Sequence, residues 1–241
     1  MTSDEAPLGL SRLSRDVARQ VSSGEHFVLW GPRGSGKTTL LRSIERRFRG
    51  RPLGHSTVTS SLDDVTTALG LAFPTTQTHG MPRRLARARL WRAADAEPAV
   101  LLLDHAGPVG TAMKGWLRRL RGGVAGIVLV FDVDSARERE ALKPARVGST
   151  SLRMPPMTPR TLARLLRREW LQSGLPTLGP ALQRQLVRTA RGRPGWVVVC
   201  SRLAATPRYW RAGELRMAAL QFDTEAALRG TPISAEGGLS L

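Results

Sequence analysis

Cysteine is nearly missing from this 241-residue chain: Cys200 stands alone, so no internal disulfide can form. Its neighbours Val197, Val198 and Val199 mark it as a buried structural thiol rather than a reactive one. Aromatic residues are scarce at 5%, but apolar residues total 41%, enough for one large domain or a core domain with a smaller companion. No run of about 18 apolar residues occurs, so no membrane span is expected. The opening Met1-Thr2-Ser3-Asp4-Glu5-Ala6-Pro7 is acidic and lacks the basic-then-apolar order of a secretory signal, which predicts a cytoplasmic protein. Acidic residues are also in deficit, with 19 against 37 basic ones, a net charge of +18 and a pI near 11.7. Within that excess lysine is rare: Lys37, Lys114 and Lys143 are the only ones, and the rest is arginine. Heavy arginine use partly reflects genomic composition, but exchanging Lys for Arg conserves charge. A surface this positive should attract a polyanion, most plausibly nucleic acid, with a partner subunit or simple solubility as the alternative.

What is present begins with Gly31-Pro32-Arg33-Gly34-Ser35-Gly36-Lys37-Thr38, followed by Thr39: a full G-x-x-x-x-G-K-[ST] phosphate-binding loop. Gly31, Gly34 and Gly36 let the backbone curl so that several N–H groups point at one anion. Lys37 supplies charge for β- and γ-phosphates, and the Thr38 hydroxyl suits Mg²⁺. Phe27-Val28-Leu29-Trp30 enters as a buried strand, and Thr38 to Ile44 leaves as a helix whose N-terminus favours negative charge. A chance glycine-rich turn would not bring that strand and helix with it. Gly31 through Thr39 are therefore the candidate nucleotide-binding residues.

The chain alternates short apolar runs with helical patterns, the signature of an α/β sheet. Expected elements are a helix over 8–22, a strand at 27–30 and a helix from Lys37 to about Phe48. A β-branched strand is expected at 56–59, then a helix capped by Ser61 and running through Leu69, a loop over 72–82 and a basic helix from Arg83 to Ala94. Arg83, Arg84, Arg87, Arg89 and Arg92 crowd that helix, and Arg118, Arg119 and Arg121 end the one expected over Thr111–Leu120. Strands follow at 126–131 and, more weakly, 150–153. After Pro155-Pro156 the pattern turns helical, starting with the Thr158-Pro159 cap. Residues 196–204 are ambiguous by period, 209–229 read as helical in part, and 230–241 as a disordered tail.

Ala99 to Leu103 is an apolar run ending in Asp104, the form of the second signature of phosphate-loop enzymes, in which a carboxylate serves Mg²⁺ at a strand's C-terminal edge. Thr38 and Asp104 are the candidate metal residues. With this order of strand, loop, helix, acid-ended strand and further strand, then Leu152-Arg153-Met154-Pro155-Pro156-Met157-Thr158-Pro159 and Gly192-Arg193-Pro194-Gly195, the chain resembles AAA+ and STAND-type ATPases over about residues 8–205. It is most similar to replication-initiator and transposition-regulator ATPases. The resemblance implies an α/β P-loop NTPase fold with five parallel strands in the order 5-1-4-3-2 and a small C-terminal helical lid. It also implies an ATPase core over 1–155, a lid and C-terminal extension over 156–229, ATP with Mg²⁺ between core and lid, and assembly into rings or filaments. Carried over by position, Arg146 falls where such ATPases keep an arginine finger, and Arg193 where a lid residue senses the γ-phosphate. Asp132 holds the place of a polar sensor. His105 departs from the pattern, since glutamate usually follows the Asp104 position to polarise the attacking water. The catalytic candidates are thus Asp104, His105, Arg146 and Arg193, and hydrolysis is expected to be slow or partner-stimulated.

Three functions fit. One is an ATP-dependent switch that oligomerises on DNA without sequence preference and recruits another machine, such as a transposition or replication complex. Another is a STAND-like signalling or defence ATPase with a protein partner, although nothing beyond the lid resembles an effector or repeat domain. The third is a non-hydrolysing nucleotide-binding structural subunit, which His105 and Asp132 permit. Little sequence follows Leu203, so DNA contact is expected from the ATPase surface itself.

Overall fold

The computed structural model describes residues 9–48, 51–106 and 111–230, and the side chains of 111–114 and 116 are left aside. Leu8, expected to open the first helix, and residues 231–241 of the expected tail lie outside the described residues.

The chain divides into two compact units, Met1–Gly31 with Lys37–Met154, and Pro32–Gly36 with Pro155–Leu241. In the first, α1 (Ser11–Ser22) leads to β1 (Phe27–Gly31), α2 (Lys37–Glu45), which ends in a 3₁₀ turn at Arg46–Phe48, and β2 (Leu53–Ser56). Then come α3 (Leu62–Ala72), α4 (Arg83–Ala96), β3 (Val100–Leu103), α5 (Thr111–Gly123) and β4 (Gly126–Asp132). Two short helices, α6 (Ala136–Ala141) and α7 (Lys143–Arg146), precede β5 (Thr150–Arg153). All the pairings are parallel, in the order β2-β3-β4-β1-β5, which is the expected 5-1-4-3-2 read from the other edge.

Alternation along the strands explains the layers. Val28, Leu101, Leu103, Ile127, Leu129 and Phe131 face α3, α4 and α5, whereas Phe27, Leu29, Val100, Leu102, Val128 and Val130 face α1 and α2. Both faces are apolar, as helix-covered parallel sheets require. Ser61 caps α3 by accepting from the Asp64 amide while the Asp64 carboxylate accepts from the Ser61 amide. The same capping box, Ser135 with Glu138, starts α6.

The expected strand at 56–59 is corrected: β2 lies three residues earlier and pairs Leu53–Ser56 with Val100–Leu103. Val58 is 56% exposed, and Thr59 makes only an isolated bridge to Ala106. Close packing overrides β-propensity here. A Cβ on Gly54 would meet the Ala68 carbonyl oxygen at 2.0 Å, so glycine lets the α3 backbone settle on the strand.

The second unit holds α8 (Pro159–Gln172), α9 (Pro180–Ala190) and α10 (Pro194–Ala204), then a 3₁₀ turn, a β6 (Trp210–Arg211) to β7 (Glu214–Leu215) hairpin and α11 (Met217–Leu228). The ambiguous 196–204 is helical. Trp196, Val197, Cys200, Ser201 and Ala204 are buried at helical spacing, and Pro194 sits in the first turn. Leu162, Leu165, Leu166, Trp170, Leu186 and Leu220 complete this second core. Cys200 is fully buried, and burial pushes its thiol up to about 12, which fits an inert thiol.

Gly54→Ala should destabilise the protein by about 3 kcal/mol through overpacking. Gly70→Ala in α3, where a Cβ meets nothing within 4 Å, should stabilise it by about 0.5–1 kcal/mol. Thermal denaturation of the pair checks this, because equal melting temperatures would mean the α3–β2 contact is not tight.

Candidate functional site: a phosphate loop closed by an acid

The parallel sheet brings the candidate residues of its own unit together by register. Gly31 ends β1 directly beside Asp132, which ends β4, and Asp104 follows β3 on the other side of β4. The chain then turns through the loop. Gly34 and Gly36 take φ +75° and +94°, values that L side chains rarely adopt. Lys37 begins α2, Thr38 is half-buried in its first turn, and Thr39 is exposed.

Lys37 is only 5% exposed. Its Nζ donates to the Gly31 carbonyl at 2.9 Å and lies 2.8 Å from Asp132 Oδ1. The second Asp132 oxygen is 3.2 Å from His105 Nδ1. Asp104 is 1% exposed, accepts from the His105 amide at 2.9 Å and lies 4.0 Å from His105 Nε2. Lysine, histidine and two carboxylates thus form one cluster at the carboxyl edge of the sheet. Burial pushes the Asp132 carboxyl up, but the Lys37 charge and hydrogen bond, with His105 beside them, hold it below the usual carboxylate range. His105 itself sits at φ +44°, an uncommon conformation for a residue with a Cβ and one that costs on the order of 1 kcal/mol.

The middle of the loop, Pro32–Gly36, groups with the second unit. The Gly195 amide at the start of α10 donates to the Gly34 carbonyl at 2.7 Å, and Arg33 Nη1 donates to the Arg229 carbonyl at 2.7 Å. Ser35 is buried, and its amide donates to the Pro32 carbonyl at 3.2 Å. A Cβ on Gly34 would come within 3.2 Å of the Trp196 amide nitrogen, a second reason for glycine there.

The two arginine candidates have neighbours within their own units. Arg193 is paired through both terminal nitrogens with Glu225 of α11, and its Nε donates to the Ala190 carbonyl. Hydrogen bonding from Arg193 outweighs burial and holds Glu225 below the usual range. Arg146 closes α7 and lies over the Trp30 ring at 5.0 Å. Sequence reasoning placed Asp132 near the phosphates but missed its pairing with Lys37, because that contact depends on β4 lying beside β1. Among the arginines expected on helices, Arg83 and Arg87 bind Asp63 at 2.9 Å, and Arg119 lies 4.8 Å over the Trp91 ring. Arg121 is spent on the carbonyls of Ala145 and Val147 and on the Ser149 hydroxyl. Arg84, Arg89 and Arg92 of α4 and Arg118 of α5 remain exposed.

No protein-family model and no curated protein matches the sequence. Solved structures do. Cdc6p from Pyrobaculum aerophilum is similar at 15% identity and TM-score 0.56, over 85% of this chain and 64% of that one. The Orc1 protein of Aeropyrum pernix, solved in complex with DNA, is similar at 19% identity and TM-score 0.59, over 94% and 68% of the two chains. A Walker-type ATPase of Pyrococcus abyssi gives 14% identity and TM-score 0.58, over 95% and 75%. The chain therefore shares the fold of these solved structures, and it spans 64% of the length of the Pyrobaculum protein.

Because the carboxyl of Asp132 is held low, its pairing stabilises the protein above the ordinary carboxylate value of 3.8 and fades as pH falls through the folded one. Asp132→Asn should unfold at acid pH with less pH dependence over that range. At pH 7 it should bind ATP several-fold more tightly, because phosphates no longer compete with a carboxylate for Lys37. Calorimetry that finds weaker or equal binding would show that the acid does not oppose the ligand.

Proposed function

We propose that this chain is an ATP-binding, AAA+-like ATPase acting as a nucleotide-dependent switch that assembles on DNA. The observation that carries the reading is a complete phosphate loop at a strand–helix junction, with its lysine held on the carboxyl edge of the sheet. In this reading Lys37 exchanges Asp132 for the β- and γ-phosphates, and the loop amides take the remaining phosphate oxygens. Thr38 and Asp104 offer the hydroxyl and carboxylate oxygens that Mg²⁺ prefers. Among the described residues no group of three or more His, Cys, Asp or Glu could cage a metal, so phosphate oxygens and water would complete the shell. Magnesium, when bound, would neutralise charge developing on the phosphates.

In this reading His105, the residue that follows Asp104, would be the one to meet an attacking water. Half-exposed and tied to Asp132, it orients that water less well than the glutamate of the resembling enzymes, so slow or partner-stimulated turnover is expected. The two ion pairs, Lys37–Asp132 and Arg193–Glu225, favour a second reading in which the chain binds nucleotide without hydrolysing it. The DNA part of the proposal is supported by the net charge of +18 and by the exposed arginines of α4. Recruitment of a protein partner and assembly into a ring or filament belong to the same proposal.

Lys37→Ala should abolish ATP binding in calorimetry, and undiminished affinity would overturn the site. Turnover of the isolated protein should fall well below about 1 per second. His105→Glu should raise it, most clearly with Asp132→Asn in the same chain, which removes the nearer of the two carboxylates beside position 105. No turnover in any variant would favour the non-hydrolysing reading. Labelled duplex should bind more tightly with ATP and weaken by about 0.9 log units per tenfold salt for each phosphate neutralised. Absence of binding at low salt in both nucleotide states would remove the nucleic-acid reading.

A further inference from the structure

Trp30, the penultimate residue of β1, gathers three arginines from three different elements. Arg146 of α7 lies 5.0 Å from the ring centroid, and Arg139 of α6 and Arg153 of β5 each lie 5.6 Å from it. Arg153 is the register partner of Trp30 on the edge strand β5, and the indole Nε1 donates to the Ser151 hydroxyl there at 3.0 Å. Arg139 and Arg153 are exposed, whereas Arg146 is half-buried. The Nε and Nη2 of Arg146 are shielded from solvent and have no hydrogen-bond partner among the described residues. None of the three arginines has an ion pair with a carboxylate among those residues. Of the two acids that flank Arg139 in sequence, Glu138 forms the capping box with Ser135 and Glu140 is paired with Lys143.

Three fixed positive charges around one ring repel one another. The attraction of an indole face for each guanidinium is modest, and it satisfies no N–H donor. Buried guanidinium donors without acceptors are unfavourable, and the ligand that relieves both problems is an oxyanion, which the planar fork of arginine meets with paired hydrogen bonds. A single anion would satisfy the half-buried Arg146. The two exposed arginines flanking it match a polymer that presents one phosphate after another.

We propose that Arg139, Arg146 and Arg153, assembled on Trp30 at the β5 edge of the sheet, form a binding site for the backbone phosphates of nucleic acid. The ring faces are covered by guanidinium groups, so the site reads charge rather than base and has no sequence preference. The proposal rests on the nucleic-acid part of the function proposed above and assigns that binding to an edge other than α4.

The test is anisotropy of a labelled duplex over a series of salt concentrations. It compares the full chain with Arg139→Gln/Arg153→Gln and with the charge-matched Arg160→Gln/Arg164→Gln, two exposed positions on α8. Arg146 stays in place because its half-buried side chain contributes to packing, and melting curves confirm that each variant is folded. The slope of log affinity against log salt should flatten by about two units in the first variant and stay at the wild-type value in the second. Equal slopes in wild type and the first variant, with wild type binding well, would overturn this site and leave the broader reading intact. Equal flattening in both variants would also overturn it, since total charge rather than this cluster would then govern binding. Failure of the wild type to bind at low salt would remove the nucleic-acid reading and this site with it.

Discussion

The ion pair between Lys37 and Asp132 depends on a single feature of topology, the placement of β4 between β1 and β3. That order puts the ends of three strands side by side, so that a carbonyl from Gly31, a carboxylate from Asp132 and a carboxylate from Asp104 share one edge. A lysine ammonium this deeply buried needs acceptors, and here it has the Gly31 carbonyl and the Asp132 carboxylate. The same carboxylate lies 3.2 Å from Nδ1 of His105, whose backbone is left-handed. In the proposed function, phosphate would compete with this arrangement, and the acid that keeps the lysine in place would set the threshold for a nucleotide.

Arginine is used throughout this chain as a structural cation, and its roles follow from what each guanidinium finds nearby. Arg87 finds Asp63, Arg193 finds Glu225, Arg121 finds carbonyls, and Arg119 finds the Trp91 ring. Position in a family pattern says little about which of these partners an arginine will take. Arg193, in the Gly192-Arg193-Pro194 segment, has its terminal nitrogens on a carboxylate of α11. Arg146, before the fifth strand, has its guanidinium over the Trp30 ring. The arginines with no carboxylate partner among the described residues, the three around Trp30 included, are the ones with charge left for another molecule.

Much of the fold was legible in the residues because each element carried its own cues. The phosphate loop, the Ser61 cap and the Thr158-Pro159 start are local chemistry, and β5 fell within its expected bounds. The helices α6 and α7 were missed, although Ser135 and Glu138 form a readable capping box. The β2 strand was misplaced because its identity is set by Gly54 against α3, a long-range fit invisible to propensity. In the site, residue types and spacing marked Lys37, Asp104 and His105. They did not mark the pairing of Lys37 with Asp132, or the clustering of three arginines on Trp30, because both are contacts across a sheet or between separate elements.

The central claim is that Lys37 leaves Asp132 for nucleotide phosphates. The chain has only three lysines, so a lysine-labelled sample observed by NMR gives a spectrum of three side-chain ammonium environments, with Lys37 assigned by Lys37→Arg. Titration with ATP and Mg²⁺ should move the Lys37 signal, AMP should not, and Lys114 and Lys143 should stay in place. A Lys37 signal unmoved at saturating ATP, or shifted equally by AMP, would contradict the account.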